Sequence, residues 1–226
     1  MRKLIVAIDG PAGAGKSTVA KRLAKELGYT YMDTGAMYRA FACRVMEEGA
    51  DLEDEKGLRK LLWDTNIALM EQDGRLSVLL DGVDATDRIR APEVSQWASR
   101  VSTSKIVRQR MVELQRDMGS RGGVVAEGRD IGTVVFPHAE VKIYLDASSP
   151  ERARRRFDEL KDEGNQVTME ATLEEMEERD RRDKEREVAP LRKAEDAVVI
   201  DSTHMGVDGV VARIMQEINK KISANH

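Results

Sequence analysis

Gly10-Pro11-Ala12-Gly13-Ala14-Gly15-Lys16-Ser17 matches the pattern G-x-x-x-x-G-K-[ST]. The flanking residues make the match informative. Leu4-Ile5-Val6-Ala7-Ile8 is an apolar, β-branched run that reads as a buried strand, and Thr18 to Leu27 has helical spacing. Strand, glycine loop, helix is the order in which such a loop cradles phosphate. Glycines let the backbone curl until successive N–H groups face one anion. The helix start adds its unpaired donors and the positive end of its dipole. Lys16 is expected to reach the β- and γ-phosphates of a nucleotide, and the Ser17 hydroxyl to bind Mg²⁺.

Outward from this loop, strands and helices alternate at the two ends of the chain, which predicts a parallel sheet covered by helices. Five core strands are read: Leu4–Ile8, Tyr29–Met32, Val124–Ala126, Val141–Leu145 and Val198–Ile200. A long insertion separates the second from the third. It carries helical segments around Thr34–Gly49 and Glu55–Trp63, then Ile67–Met70 and Leu76–Leu80 flanking Asp73-Gly74, a hairpin signal. Asp81-Gly82 marks a further turn before Val83, Pro92 opens a helix to about Val101, and an amphipathic helix spans Lys105 to Met118. The insertion reads as a small α+β lobe. A second excursion, Pro150 to Ala194, reads as two charged helices interrupted near Gly164-Asn165. Acids and bases alternate through Glu170–Glu187, which predicts a solvated helix laced with i,i+4 pairs. That pattern leaves the arginines gathered at Arg179, Arg181, Arg182 and Arg186 less well accounted for.

The chain has 226 residues, enough for one domain with a full core. The expected division is a core of residues 1–33, 120–150 and 195–226, an insertion over 34–119 and a lid region over 151–194. Net charge is −4, so no global basic field recruits nucleic acid. A single cysteine, Cys43, allows no internal disulfide and reads as a packed apolar residue in a reducing compartment. His138, His204 and His226 show no metal-ligand spacing, and Trp63 and Trp97 read as packing residues. The N-terminus runs straight into a strand and no apolar run reaches the roughly 18 residues of a membrane helix, so a cytoplasmic protein without membrane contact is expected.

Polar clusters fall at the C-terminal ends of the strands, where ligands bind in open parallel sheets. Asp33-Thr34-Gly35 follows the second, Glu127-Gly128-Arg129-Asp130 the third, Asp146 the fourth and Asp201 the fifth. Arginines suit phosphoryl transfer because planar, permanently charged guanidiniums grip phosphate oxygens bidentately as charge spreads over them. A cluster on a mobile excursion offers closure over bound substrates.

Several stretches carry a family resemblance. IDGPAGAGKST, MDTGAMYR, AEGRDIGTVVFPHAEVKIYLDASSPERA and ERDRRDKEREVAPL followed by VVIDST span the chain in order. They resemble those of bacterial cytidylate kinases, in the nucleoside monophosphate kinase group. The resemblance implies a three-layer α/β P-loop fold with a five-stranded parallel sheet in the order 2-3-1-4-5. It also implies an inserted monophosphate-binding lobe, a helical lid, ATP as phosphoryl donor with Mg²⁺, and CMP and dCMP as acceptors.

By the same resemblance, ATP contacts come from Gly10, Pro11, Ala12, Gly13, Ala14, Gly15, Lys16, Ser17 and Thr18, with Arg154 on the donor side. Ser17 and, through water, Asp33 lie near the metal. Thr34, Tyr38, Arg39 and Arg129 surround the acceptor phosphate, while Ser99, Arg108 and Asp130 read cytosine. Asp183 and Arg186 meet sugar and phosphate from the lid. Lys16, Arg129, Arg179, Arg182 and Arg186 form the catalytic set. Glu127 departs from the aspartate of some relatives, and Thr34 from their serine. With both sites in one chain, a monomer is expected. Two other functions match the P-loop: a kinase of a small hydroxyl metabolite with Asp33 as base, and a nucleotide-switched regulatory module.

Overall fold

The computed structural model describes residues 3–72 and 75–224. The Asp73-Gly74 turn and His226 lie outside the described residues. The first strand, β1 (Ile5–Asp9), is buried almost throughout, as a central strand of a parallel sheet must be. Because side chains alternate along a strand, Val6 and Ile8 face one layer and Ala7 the other. Val6 and Ile8 pack with Val19 and Leu23 of α1 (Lys16–Leu27) and with Ile214 and Ile218 of α8 (Val207–Ala224). Ala7 packs with Met32, Ala126, Ile131 and Val135 on the opposite side. The three layers are thus helix, sheet and helix-plus-turn.

Parallel to β1 run β2 (Thr30–Asp33), β6 (Val124–Gly128), β7 (Val141–Asp146) and β8 (Val198–Asp201), in the order β2-β6-β1-β7-β8. This is the expected 2-3-1-4-5 order of the core strands. The strands run further than the apolar pattern shows. Asp9, Asp33, Asp146 and Asp201 are the last residues of their strands rather than residues that follow them, and Glu127 lies inside β6. Pairing continues through them, with Asp33 opposite Glu127 and Asp146 opposite Asp201. Backbone pairing is indifferent to the side chain, so an acid at the open end of a strand leaves the ladder intact. Helix α1 likewise starts at Lys16, two residues before the apolar spacing begins, so its first free N–H groups lie in the loop.

Gly10 marks where the chain leaves β1 against its neighbour. A Cβ there would lie 1.9 Å from the Leu145 carbonyl oxygen of β7. Replacing Gly10 by alanine must separate two central strands, and is expected to lower stability by about 3 kcal/mol, measured by urea unfolding.

The insertion has its own core, in which Met37 and Phe41 of α2 (Thr34–Glu48), Leu58 of α3 (Glu55–Asp64), and Val107 and Met111 of α5 (Lys105–Gly119) are buried. Pro92 occupies the first turn of α4 (Pro92–Val101), as its fixed φ favours. A three-stranded antiparallel sheet joins β3 (Ile67–Gln72), β4 (Arg75–Leu80) and β5 (Val83–Asp84). Asp81 and Gly82 have φ of 51° and 82°, the paired positive angles of a tight hairpin turn. Cys43 is buried in α2.

The second excursion forms α6 (Ser149–Asp162) and α7 (Met169–Glu185), parted where Gly164 takes φ 82°. The expected lacing of surface pairs lies on α6 rather than α7. Arg154 pairs with Glu151 and Asp158, and Arg156 with Glu159. Between Glu170 and Glu187, the ion pair within this stretch among the described residues is Asp183 with Arg186, the residue just past the end of α7. The other paired acids of α7 reach outward to different elements, because α7 is packed against the core on the side that carries them.

A π-helical turn, Ile131–Val135, follows β6. The carboxylate of Asp9 organises it by accepting the N–H groups of Ile131 and Gly132, each at 2.7 Å. These partners are 122 and 123 residues from Asp9, beyond the reach of any local pattern. Burial pushes the Asp9 carboxyl up to about 6, against the pull of both N–H groups. The folded state therefore binds a proton that the unfolded state, with a carboxyl near 3.8, releases. Asp9 contributes most below the unfolded value, and the contribution declines as pH rises through 6. The urea stability of Asp9→Asn is expected to gain on the parent by about 3 kcal/mol between pH 4 and 7. A constant difference across that range would show that Asp9 is ionised throughout.

Candidate active site

The C-terminal edge of the sheet, the inserted lobe and α7 enclose a cleft of about 300 Å³. At one end lie Ala12, Gly13, Lys16 and Ser17 of the glycine loop. Lys16 is buried, and its Nζ donates to the Pro11 carbonyl at 2.7 Å. Burial, and then the nearby charge of Arg129, bring its amine down to about 7, opposed by Glu127. Ser17 and Thr18 are exposed at the helix start, but Thr18 does not line the cleft.

Glu127, which the sequence marked in the polar cluster at the third core strand and as a departure from some relatives, is the carboxylate near Ser17. It is buried, lies near the Ser17 side chain and accepts from the Tyr31 hydroxyl at 2.7 Å. Burial and the charge of Asp33 push its carboxyl upward. Asp33 has other commitments. One oxygen caps α2 by accepting the Ala36 N–H at 2.8 Å, and the other accepts from Arg39 at 3.0 Å. The signal for Glu127 was its place at the end of a strand adjoining the loop strand.

At the opposite end the lobe brings Ser99 of α4 and Arg108 of α5 to the turn after β6. Arg108 bonds Asp130, and its guanidinium lies 5.7 Å from the centroid of the Tyr38 ring. Arg186 approaches Asp130 at 3.6 Å and Asp183 at 3.5 Å. Asp183 in turn accepts from Arg129 at 2.8 Å. Burial opposes ionisation of Asp183, yet Arg129, Arg179 and Arg186 together hold its carboxyl below the usual range. Three guanidiniums thus share two carboxylates, a surplus of positive charge. Arg179 adds to it from α7, brought down to about 10 by burial and by Arg129. Thr34 donates to the Glu127 carbonyl at 2.7 Å beside this network.

Several buried atoms in this region have no hydrogen-bond partner among the described residues: Ser99 Oγ, Arg108 Nε, Arg179 Nε and Arg186 Nη2. Unpaired buried donors are costly, so their convergence on one cleft marks a place for polar ligand atoms.

Two of the expected arginines stand apart. Arg154 faces outward on α6, more than half exposed and held by Glu151 and Asp158. A helix turns about 100° per residue, and it is Arg156 that lines the cleft. Arg182 is half-buried but does not line the cleft. Lys21, Arg90 and Thr172 line it without any motif having marked them.

The cytidylate kinase family model matches residues 6–220. This chain belongs to the cytidylate kinase family. A cytidylate kinase of Syntrophotalea carbinolica is 51% identical over 220 residues, covering 97% of this chain and 94% of that one. One from Geobacillus kaustophilus is 52% identical over 221 residues, covering 98% and 99%. One from Pelotomaculum thermopropionicum is 53% identical over 215 residues, covering 95% of each. Among solved structures, an uncharacterized protein from Eubacterium ventriosum aligns over 96% of this chain and 99% of its own, with TM-score 0.50 and 15% identity, a likeness of fold. Membership in the cytidylate kinase family agrees with a cleft holding a phosphate loop at one end and unpaired polar groups at the other. Among the described residues, no helix is long and apolar enough to cross a membrane.

Proposed function

We propose that this chain transfers the γ-phosphoryl group of MgATP to CMP and dCMP, giving ADP with CDP or dCDP. The observation that carries this reading is the set of unpaired buried atoms, Ser99 Oγ, Arg108 Nε and Arg186 Nη2, gathered around Asp130 at the end of the cleft away from the loop. Cytosine offers an amine that donates and N3 and O2 that accept. Asp130 and Ser99 suit the amine, and Arg108 suits the acceptors.

A phosphate monoester has a second pKa of about 6 and is mostly dianionic at neutral pH. Such a nucleophile attacks in line without a general base. The protein's task is to position two anions, offset their repulsion and exclude water. Lys16 and the loop N–H groups take the donor phosphates. Arg39 and Arg129, with Thr34 and Tyr38, take the acceptor phosphate. Arg179 brings lid charge to the transferring group, and Arg186 and Asp183 meet the sugar and phosphate of the acceptor. The donor set near Ser17 fits Mg²⁺: it is hard oxygen, and the buried Glu127 carboxyl carries a burden of negative charge that a cation relieves. No cluster of three acids, histidines or cysteines suited to a metal occurs among the described residues. Held there, Mg²⁺ would supply positive charge to offset the charge that develops during transfer. Ser17 would hold it, and Glu127 answers better than Asp33 for the accompanying carboxylate, since both Asp33 oxygens are engaged. That engagement also tells against Asp33 as base for a hydroxyl acceptor. With both subsites in one chain, catalysis by a monomer in the cytoplasm, feeding pyrimidine nucleotide metabolism, is the corresponding cellular role.

The test is MgATP-dependent ADP release with CMP, dCMP, UMP, AMP, shikimate and gluconate, with products separated by chromatography. CDP and dCDP are the expected products. Transfer only to a hydroxyl acceptor, or hydrolysis with no transfer, would overturn the reading.

A further inference from the structure

Arg152 and Asp180 form a buried ion pair at 2.6 Å, with both side chains about nine-tenths shielded from solvent. Neither lines the cleft. Every branch of the Arg152 guanidinium is used. Nε donates to the Ala147 carbonyl at 3.0 Å, Nη2 to Ser149 Oγ at 3.0 Å, and Nη1 to both Asp180 and the Ala12 carbonyl, the latter at 3.0 Å. The second oxygen of Asp180 accepts the Ala12 N–H at 3.3 Å. One pair therefore engages both sides of a single peptide position in the glycine loop. It ties that position to α6 through Arg152 and to α7 through Asp180.

The packing agrees. Gly13, next in the loop, has φ 71°, and a Cβ there would come within 2.7 Å of the Arg152 carbonyl oxygen and 2.8 Å of Met176 Cε. Met176 lies one turn before Asp180 on α7 and is buried. On the same helix, Arg179 precedes Asp180 directly and points into the cleft, and Asp183 lies one turn later on Arg129. Asp180 and Asp183 thus dock α7 twice, once on the donor loop and once on the acceptor-side arginine, with Arg179 beside the first contact.

A buried ion pair is a poor way to gain stability, because desolvation offsets the attraction and apolar residues of similar size often do as well or better. What such a pair supplies is a unique geometry. We propose that Arg152 and Asp180 are positioning residues that seat α7 on the phosphate loop, so that filling the loop and placing Arg179 over the transferring phosphoryl group are one event. This rests on the phosphoryl-transfer reading above. Both residues act through others and touch no reacting atom.

The test compares the parent with Asp180→Asn and with the double variant Arg152→Met, Asp180→Leu. Turnover, KM for CMP, ATP hydrolysis without acceptor, melting temperature and amide hydrogen exchange are read for each. For Asp180→Asn, kcat is expected to fall about 10- to 100-fold. KM for CMP is expected to stay within about twofold while the ratio of hydrolysis to transfer rises, as when a lid excludes water poorly. The double variant leaves the Ala12 N–H and the Ala12 and Ala147 carbonyls without these partners, so it is expected to melt below the parent yet stay folded at the assay temperature, where it still turns over slowly. In the parent, ATP is expected to slow exchange in residues 10–17 and 169–185 together, and in Asp180→Asn to slow the loop alone. A folded Asp180→Asn with parental kcat and hydrolysis ratio overturns the proposal. So does a double variant with parental kcat, or a loss of turnover that only follows a loss of stability. The exchange arm separates the two readings: a parent that fails to use CMP refutes the substrate, whereas loss of coupled protection on Asp180→Asn supports the seating of α7 by itself.

Discussion

Replacing Lys16 by methionine is expected to lower phosphoryl transfer by about 10²–10³-fold, the scale of one preorganised charge removed from a transition state. The chain is expected to remain folded. The amine is buried with the Pro11 carbonyl as its hydrogen-bond acceptor and with Arg129 nearby, and its pKa has come down from 10.5 to about 7. A lowered lysine pKa means that the folded state disfavours the ammonium. The charge therefore costs stability, most fully below pH 7, and the cost fades as pH rises toward 10.5. Methionine keeps the unbranched stem and removes that cost. The melting temperature of Lys16→Met at pH 7 should equal or exceed the parent's while turnover collapses. Melting and initial-rate measurements on the same preparation check this. A lower melting temperature with a parallel loss of turnover would assign Lys16 to the fold instead. Stability given up for a charge that acts only on substrate is the usual signature of a functional site.

Asp130→Ala is expected to act on stability and on selectivity at once. It leaves Arg108 buried without a carboxylate, and breaking a buried pair in this way costs about 3–5 kcal/mol. Arg186, 3.6 Å from Asp130, loses a counter-charge as well. Selectivity should fall because uracil presents a carbonyl where cytosine presents an amine. In the parent, uracil sets its carbonyl against the Asp130 carboxylate, acceptor facing acceptor, a penalty of about 1–3 kcal/mol or roughly tenfold and more. Alanine removes that penalty, so the CMP-to-UMP ratio of specificity constants should drop by about the same factor. The double variant Arg108→Met, Asp130→Leu is expected to recover stability in urea without recovering the ratio. An unchanged ratio in a folded Asp130→Ala would remove Asp130 from base recognition.

Much of the architecture was legible in the chain because its signals are local. The run from Leu4 to Ile8, the glycines to Gly15 and the helical spacing after them are contiguous, and each follows from backbone sterics and burial over a few residues. The same holds for Asp81-Gly82, whose turn needs two positive φ angles, and for Pro92 at the start of α4. The ends of strands were less legible. Hydrophobicity marks which residues are buried, whereas Asp9, Asp33 and Asp146 belong to the sheet through backbone pairing alone.

The cleft divides along the same line. The residue types for phosphate chemistry were visible in MDTGAMYR, AEGRD and ERDRRDKER, because arginine clusters beside glycines have few other uses. Their roles were not, since a charged residue declares its charge but not its partner. Arg154 and Arg156 are two residues apart on one charged helix; only the packed helix shows that Arg156 turns to the cleft and Arg154 to solvent. Glu127 lies near Ser17 because β6 lies beside β1, and Asp33 turns instead to Ala36 and Arg39.

By itself, then, the sequence determined the phosphate loop, the alternation that makes a parallel sheet, and the family through motifs spread along the chain. Tertiary structure alone decided which distant groups the buried acids meet. Asp9 holds a turn 122 residues away, Arg152 meets Asp180 across two helices, and Asp183 joins Arg129 as well as its own neighbour Arg186. The reason is physical. Backbone geometry is set by neighbours along the chain, whereas a charge settles with whatever partner folding brings within about 4 Å, and in a dry interior that choice carries most of the energy.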